Sequence, residues 1–270
     1  MSKLFLSGIY IYPVKSLGGI CLEVSEVETR GLKYDRRWML VDESGKYITQ
    51  RTHSQLALIN VAIKNNYLKF HHKKQDANYY SVDINSYSTE KIEVVIWNDT
   101  VLANQVSREA NEWFSEMLGI NCRLVYMPND TLRQVDNKYA HDKEIVGFAD
   151  AYPFLLIGQS SLDELNSRLE IKLPMNRFRP NLVFSGGEPF DEDRIKSFAI
   201  GDITFYPVKP CARCIVTTID QENAATNVEP LKTLATYRTI NNKVMFGQNI
   251  IHRGSGTIKV GDEFAVLEWK

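Results

Sequence analysis

The feature that most limits the fold of this chain is a series of short runs rich in β-branched and aromatic residues. Six of them are SGIYIYPV, WMLV, YITQ, EVVIW, NLVFSG and ITFYPV, and CIVTTID and TIKVGDEFAVLEW have the same character. Runs of about four to eight such residues, bounded by glycine, proline or aspartate, predict β-strands. Turn residues at 42–45 and at Gly261–Asp262 predict two hairpins. The pattern favours a mainly β fold.

Three segments have the pattern of short helices. In SREANEWFSEMLG the apolar residues recur with a helical period, Ser107 is a candidate N-cap and Gly119 a candidate C-cap. In SLDELNSRLE, Ser161 and Glu164 predict a capping box, and a third helix is predicted to start at Pro230. Many strands with three scattered helices predict a fold centred on a β-barrel.

The composition is that of an ordinary globular protein. Of the 270 residues, 44% are hydrophobic, and 32 basic residues nearly balance 33 acidic ones. This balance argues against broad binding to nucleic acid or to a membrane surface, since both require a positive field. No run approaches the roughly 20 apolar residues of a membrane span, and the four unevenly spaced cysteines do not indicate a disulfide scaffold. We therefore expect a cytoplasmic protein with neither a nucleic-acid nor a membrane partner.

Two of the cysteines, Cys211 and Cys214, lie on either side of an arginine in KPCARCIVTTID. A structural zinc site usually needs two such pairs, and an extended CIVTTID would direct the two sulfurs to opposite faces, which disfavours both zinc and a redox dithiol. A third interpretation is a pair of unreactive thiols, since free cysteine is often buried. Because the Arg213 guanidinium favours a thiolate, a fourth is a soft metal held by one thiolate and an anionic cofactor. The pair alone leaves these alternatives open.

Basic residues in other segments are candidates for binding such a cofactor. Lys15 and Ser16 follow a predicted strand and precede two glycines, an arrangement that suits a phosphate and equally an exposed turn. Arg36 and Arg37 follow Asp35 before another predicted strand. Adjacent side chains there should diverge, one inward and one to solvent, and a solvated charged turn is the alternative.

Two further segments add guanidinium and amide groups. The proline in MNRFRPN favours an extended chain before it, which predicts Arg177, Arg179 and Asn181 on one face. Two guanidiniums and an amide in line would clamp an anion or a heterocycle, with a charged surface stripe as the alternative. In MFGQNII, Gln248 and Asn249 follow a glycine and are predicted either to hydrogen-bond a ring edge or to form a plain turn.

The segments YPVKS, DRRW, RFRPN, PCARCIVTTID, FGQNI and GTIKVGD occur in an order that resembles the MOSC family over nearly the whole chain. The resemblance is closest to the group with an N-terminal MOSC-associated region, which includes the mitochondrial amidoxime-reducing components. It implies a mainly β fold, with a MOSC β-barrel and a few helices at residues 126–270 and a smaller N-terminal α+β lobe at residues 1–125. The opening strand, within about residues 1–36, is expected to join the barrel.

The resemblance also implies that the barrel holds the molybdenum cofactor, a molybdenum ion on a pyranopterin dithiolene. Cys214 matches the cysteine that binds the metal and Asp150 matches an acidic residue near it, and we predict catalytic roles for both. The matching cofactor-binding positions are Lys15, Ser16, Arg36, Arg179, Asn181, Arg213 and Asn249. After Asp150 this chain has Ala151 and Tyr152, where relatives carry small hydroxyl residues.

The function implied by the resemblance is reductive dehydroxylation of small N-hydroxylated compounds, with Asp150 delivering protons. A fused plant-type 2Fe–2S domain would need cysteines with C-x4-C-x2-C spacing, which this sequence lacks, so a separate electron-donor protein is expected. The alternative is a non-catalytic carrier of molybdenum cofactor, or of sulfur as a persulfide on Cys211 or Cys214.

Overall fold

The computed structural model describes residues 3–75, 77–140 and 142–270, which form nineteen β-strands and four α-helices. The strands are β1 Phe5–Ile11, β2 Ile20–Leu22, β3 Val24–Glu28, β4 Gly31–Leu32, β5 Trp38–Val41, β6 Ile59–Lys64, β7 Tyr67–His72, β8 Tyr79–Asp83, β9 Lys91–Ile96, β10 Asp99–Gln105, β11 Arg123–Tyr126, β12 Phe154–Gly158, β13 Leu182–Ser185, β14 Ile195–Ile200, β15 Ile203–Ala212, β16 Thr239–Ile240, β17 Lys243–Arg253, β18 Gly256–Lys259 and β19 Ala265–Trp269. The helices are α1 Arg108–Leu118, α2 Gln159–Ser167, α3 Asp191–Arg194 and α4 Leu231–Ala235, and 3₁₀ turns lie at Ser54–Leu58, Met175–Arg177 and Ile215–Thr218. The predicted mainly β fold class is confirmed.

The largest sheet has the strand order β19–β14–β15–β17–β12–β13–β1–β2, with β16 paired to β17. Its neighbours are antiparallel except for the parallel pair β12 and β13. The chain before β19 bonds to the start of β1, where the Leu6 N–H donates to the Asp262 carbonyl at 2.9 Å and the Phe264 N–H donates to the Leu4 carbonyl at 3.1 Å. These bonds join the two sides of the sheet into a ring of strands.

Apolar side chains fill the inside of this ring. Leu6 and Ile9 of β1 are fully buried. The Phe198 ring stacks on the Phe205 ring at 5.0 Å between centroids and on the Phe264 ring at 4.1 Å. Each buried phenylalanine stabilises the fold by about 1.5–3 kcal/mol relative to an exposed one. The strand β1, from the start of the chain, thus shares a core with strands from its end.

A second core lies between the sheets β5–β11–β10–β9 and β6–β7–β8 and the helix α1. The fully buried Phe114 of α1 meets Phe70 edge to face, with centroids 4.8 Å apart. Ser107 Oγ accepts a hydrogen bond from the Ala110 N–H at 3.1 Å, and the helix ends at Gly119 with φ of 66°. The predicted helix and both of its caps are confirmed.

The hairpin predicted for TIKVGDEFAVLEW is wrong. The chain does turn at Gly261, where φ is 92°, but β18 pairs with β3 whereas β19 pairs with β14. A turn signal predicts a change of direction and does not choose the partner strand. The turn at residues 42–45 is confirmed, since Asp42 Oδ1 accepts the Ser44 N–H at 2.9 Å and Tyr47 forms a bridge with Val41.

Two other local predictions are wrong because side-chain hydroxyls bond within the chain. CIVTTID contains the 3₁₀ turn Ile215–Thr218, in which the Thr217 hydroxyl donates to the Cys214 carbonyl at 3.0 Å. Hydroxyls placed in this way compete with strand formation. Helix α2 starts before Ser161, so this serine is no cap, and its hydroxyl donates to Glu192 Oε2 at 2.7 Å.

The helices of the carboxyl-terminal half are short. The helix predicted at Pro230 is α4, which begins one residue later with Pro230 as its N-cap, whereas α3 was not predicted.

Over the described residues, every helix is too short or too polar to cross a membrane.

Candidate functional site

A cleft between the barrel and the N-terminal sheets brings all nine predicted site residues together. Its volume is about 160 Å³. The predicted residues in its walls are Lys15, Ser16, Arg36, Asp150, Arg179, Asn181, Arg213, Cys214 and Asn249. The other lining residues are Thr49, Arg51, Ala149, Ala151, Tyr152, Phe154, Leu155, Phe178, Cys211, Ala212 and Val216. Residues distant in sequence meet here, while their roles stay predictions.

Lys15 and Asp150 form an ion pair in the cleft. The buried Lys15 ammonium donates to Asp150 Oδ1 at 2.5 Å and to the Phe148 carbonyl at 3.0 Å. Burial lowers the pKa of Lys15, and the Asp150 charge opposes that effect. Burial raises the pKa of Asp150, but the charge and hydrogen bond of Lys15, the charge of Arg51 and the hydrogen bond from Trp97 together outweigh it and hold that pKa well below its usual range. The Asp150 side chain is 61% exposed, so its carboxylate stays partly hydrated beside the Lys15 charge. An ionised Asp150 argues against its predicted role as a proton donor.

Arg36 reaches the cleft from the turn before β5, where a buried carboxylate holds it. Its Nη1 donates to Asp35 Oδ2 at 2.6 Å and to Asn181 Oδ1 at 3.0 Å. Burial raises the pKa of Asp35, and the Arg36 charge opposes the shift. The neighbouring Arg37 points elsewhere and donates to a backbone carbonyl at 2.6 Å. The predicted divergence of the two arginines is confirmed, but Arg37 is buried instead of facing solvent.

Arg179 places a half-buried guanidinium at the cleft. Its Cζ lies 4.2 Å from the centroid of the Tyr12 ring, and Arg36 Cζ lies 4.3 Å from the same centroid. Its Nη1 donates to the Leu17 carbonyl at 2.8 Å, and no Asp or Glu of residues 3–75, 77–140 or 142–270 forms an ion pair with it. Burial lowers the pKa of Arg179 to about 10. Its remaining donors are available to an anion.

The predicted alignment of Arg177 with Arg179 is wrong. Met175–Arg177 form a 3₁₀ turn and Arg179 has φ of 54°, so the chain before Pro180 is not extended. Arg177 Nε donates to the Thr217 carbonyl at 3.0 Å, away from the cleft. Packing of the arginines in separate sites has overcome the local preference that proline imposes.

Three predicted site residues have left-handed backbones. The φ angles are 70° at Ser16, 47° at Arg36 and 54° at Arg179. Residues with side chains enter this region at a cost of about 1–3 kcal/mol, and such residues cluster at functional sites. The concentration of strain around one cleft supports a functional role for it.

Cys211 and Cys214 are free thiols, and both line the cleft. Arg213 donates from Nη1 to Cys211 Sγ at 3.0 Å and from Nη2 to the Phe178 carbonyl at 2.7 Å, while its buried Nε has no partner among the described residues. The expectation of opposed sulfurs rested on an extended chain after Cys214, which is absent. In the described ranges, no group of three or more His, Cys, Asp or Glu side chains is placed to hold a metal ion. A metal at either thiol would need cofactor ligands.

Of the two amides in MFGQNII, only Asn249 lines the cleft. Gln248 is buried and donates to Asp193 Oδ1 at 2.6 Å, so its predicted hydrogen bond to a ring edge is wrong. Gly247 precedes them with φ of 79°, and a Cβ there would lie 2.8 Å from the Leu156 carbonyl oxygen. The glycine allows β17 to bend close to β12 and to turn Asn249 toward the cleft.

The glycines after Ser16 have a packing role. The Gly18 N–H donates to the Ile59 carbonyl at 3.0 Å, and a Cβ on Gly19 would lie 2.5 Å from the Tyr12 ring. Neither lines the cleft, so the predicted phosphate cradle is reduced to Lys15 and Ser16.

Sequence reasoning missed two polar residues of the cleft, Thr49 and Arg51. They follow the bridge that Tyr47 makes with Val41. In the sequence, TQRT has the pattern of an ordinary polar strand end, so the charge of Arg51 was the only available indication of a site residue.

The cleft fits a phosphate-bearing cofactor. Five cationic side chains line it against one carboxylate, that of Asp150. Arg179 and the orphaned Nε of Arg213 offer donors that the described chain leaves unused. Guanidinium groups match phosphate oxygens in geometry and charge. The nearby thiol of Cys214 adds a soft ligand for a metal.

Comparison with known proteins identifies two domains. The MOSC N-terminal beta barrel domain matches residues 3–121, and the MOSC domain matches residues 143–265. The chain is 31% identical over 282 residues to mitochondrial amidoxime-reducing component 1 of Mus musculus, covering 96% of this chain and 81% of the relative. It is also 31% identical over 286 residues to mitochondrial amidoxime reducing component 2 of Rattus norvegicus, covering 95% and 81%.

A longer relative is the molybdenum cofactor sulfurase of Arabidopsis thaliana, which is 31% identical over 264 residues. The match covers 90% of this chain but 32% of the sulfurase. This chain therefore corresponds to about a third of that protein.

Proposed function

The chain belongs to the MOSC family, and we propose that it is a molybdenum-cofactor enzyme that reduces N-hydroxylated compounds. The observation that carries the proposal is the cleft, in which a thiol, several guanidiniums and two amides converge. Similarity to amidoxime-reducing components supports the class of reaction, and similarity to a molybdenum cofactor sulfurase supports the cofactor.

The residues of the cleft would hold the cofactor at both of its ends. Cys214 would bind molybdenum through sulfur, and Arg179 and Arg213 would donate hydrogen bonds to the phosphate. Asn181 and Asn249 would orient the pterin through their amides. When bound, the cofactor would supply two-electron redox chemistry.

Lys15, Ser16 and Arg36 would complete the binding set. Ser16 presents a hydroxyl to the cleft, and Arg36 fixes Asn181 through its 3.0 Å hydrogen bond. Lys15 would add positive charge while it keeps Asp150 ionised. We therefore assign Asp150 to accept a hydrogen bond from the substrate N–H or O–H, with protons drawn from solvent.

In the proposed reaction the N–O bond of the substrate breaks, two electrons and two protons enter, and an amine or amidine leaves with water. A separate electron-donor protein would deliver the electrons. We propose the cytoplasm as the location of the protein.

The test is to purify the protein from molybdate-replete cells and to measure molybdenum, pterin and the reduction of benzamidoxime by a reduced viologen. The wild type should contain molybdenum and form benzamidine. Cys214→Ser should lose both, whereas Cys21→Ser, which changes an exposed thiol outside the cleft, should lose neither. Full molybdenum content and activity in Cys214→Ser would disprove the ligand role.

The alternative, a carrier of cofactor or of persulfide sulfur, predicts a different result in the same assay. It is favoured by the second cleft thiol, Cys211, which Arg213 contacts at 3.0 Å. A carrier would retain molybdenum or a labile sulfur but would show no turnover with any reductant.

A further inference from the structure

Arg51 differs from the other cations of the cleft because aromatic rings alone position its guanidinium. Its Cζ lies 4.4 Å from the centroid of the Trp97 ring and 5.9 Å from that of Tyr47. Its guanidinium makes neither a hydrogen bond nor an ion pair with the residues that the structure describes. Aromatic faces position a guanidinium without consuming its N–H donors. The guanidinium of Arg51 is therefore fixed in position while its N–H donors remain available to a ligand.

Trp97 occupies a strained position beside it. It is the first residue of the two-residue turn between β9 and β10, where Ile96 faces Asp99. Its φ is 56°, a conformation that glycine ordinarily supplies in such turns and that is an outlier for a bulky residue. The indole is 45% exposed and its Nε1 donates to Asp150 Oδ1 at 3.3 Å. In this conformation the exposed aromatic ring lies against Arg51 and beside Asp150 at the edge of the cleft.

No carboxylate of the described residues forms an ion pair with Arg51, although the Asp150 charge acts on it from a distance. Lys15 is paired with Asp150, and Arg36 is paired with Asp35. Arg179 and Arg213 are assigned above to the cofactor phosphate. Asp150 does not repel an anion strongly, because the Lys15 ammonium lies 2.5 Å from it. The charge of Arg51 therefore remains available to an anionic group of the substrate.

We propose that Arg51 and Trp97 form a substrate subsite for planar N-hydroxylated compounds that carry a negative group, a carboxylate or a phosphate. The anion binds the free fork of Arg51, and the planar part of the substrate lies against the exposed Trp97 indole. This subsite rests on the proposed function, because it selects substrates for the reaction at Cys214.

The experiment compares a matched pair of substrates, benzamidoxime and 4-carboxybenzamidoxime, in wild type, Arg51→Gln, Arg51→Lys and Arg108→Gln. The wild type should have the lower KM for the carboxylate. Arg51→Gln should raise the ratio of the KM values, carboxylate over neutral, by about tenfold, the effect of losing one charge-assisted hydrogen bond. Arg51→Lys should recover part of the ratio. Arg108→Gln removes an exposed arginine of α1 that is paired with Glu112 and should leave the ratio unchanged.

A structural or cofactor-binding role for Arg51 predicts that both KM values change together and that the molybdenum content falls. That result, or an unchanged ratio, overturns the subsite. If neither compound is reduced by any variant, the proposed reaction fails instead. Calorimetric binding of the two compounds then tests the subsite alone, which survives only if Arg51→Gln selectively weakens binding of the carboxylate.

Discussion

Lys15 donates a hydrogen bond to Asp150 across 135 positions of sequence, with 2.5 Å between Nζ and Oδ1. Lys15 follows β1 of the barrel, and Asp150 lies in the segment that leads into β12. Trp97 of the N-terminal sheets donates to the same carboxylate oxygen. These three residues therefore link three distant segments at the wall of the cleft.

We expect Asp150→Asn to lower the free energy of unfolding by about 1–3 kcal/mol, between the values for exposed and for buried ion pairs. The folded-state pKa of Asp150 lies below the unfolded one, so its contribution is complete above about pH 4 and is lost as the pH falls through the folded-state pKa. Urea unfolding at pH 7 measures the first effect, and a comparison of pH 4 with pH 2 measures the second. Asp202→Asn, at an exposed turn, is the control. Equal losses in the two variants would contradict this account.

Arg179→Met should change apo stability and anion binding in opposite directions. Burial lowers the pKa of Arg179 to about 10, and the nearby Arg36 charge acts in the same direction, so we expect the charge of Arg179 to be disfavoured in the folded protein. Replacement by an apolar side chain of similar length should stabilise the apo protein by about 1 kcal/mol. Thermal denaturation with and without inorganic phosphate should show phosphate stabilisation in the wild type and its loss in the variant.

The matched control for that measurement is Arg168→Met. Arg168 also lies over a tyrosine, 4.2 Å from the Tyr237 centroid, but it is exposed and paired with Glu164. It should leave the phosphate effect intact. A less stable Arg179→Met with an unchanged phosphate response would mean that the arginine is structural.

The fold class could be predicted from local sequence because runs of β-branched and aromatic residues indicate strands. Closure of the barrel did not, since it depends on bonds such as that from the Leu6 N–H to the Asp262 carbonyl, between segments that carry no distinctive pattern. The hairpin predicted at Gly261 failed for the same reason. Pairing partners are decided by tertiary packing, which local propensity does not contain.

The candidate site was predictable only as a collection of motifs. Lys15, Arg36 and Asn249 were candidates from their own motifs, and a family resemblance assigned them to one cofactor, but their meeting in one cleft required coordinates. The left-handed φ of Arg179 contradicted the local rule for residues before proline. Arg51 was missed because its setting depends on Trp97, which lies far along the chain in the turn between β9 and β10.

Glu192 should make stability fall as the pH rises from the acid range toward neutrality. It is fully buried, and burial raises its pKa to about 7, opposed by the hydrogen bond from Ser161. Between the unfolded-state pKa and about pH 7 the folded state binds the extra proton, so raising the pH destabilises it by up to about 3 kcal/mol. Glu192→Gln should abolish this part of the slope in urea unfolding at pH 5, 6, 7 and 8. An identical slope in the two proteins would show that Glu192 is already ionised at pH 5.

Gly247 and Gly119 share a left-handed backbone but differ in their surroundings, which makes their alanine variants a matched pair. Their φ angles are 79° and 66°, yet a Cβ on Gly247 would lie 2.8 Å from the Leu156 carbonyl oxygen while one on Gly119 would have nothing within 4 Å. Gly119→Ala should therefore lower the free energy of unfolding by about 1–2 kcal/mol, because only backbone strain opposes the folded state. Gly247→Ala should lower it by about 2–4 kcal/mol, because crowding adds to the strain. Only Gly247→Ala should also reduce the molybdenum content, since the shift of β17 displaces Asn249 from the cleft. Guanidinium unfolding and metal analysis on both variants measure the two effects, and similar losses at both positions would show that β17 can move away from β12 without disturbing the site.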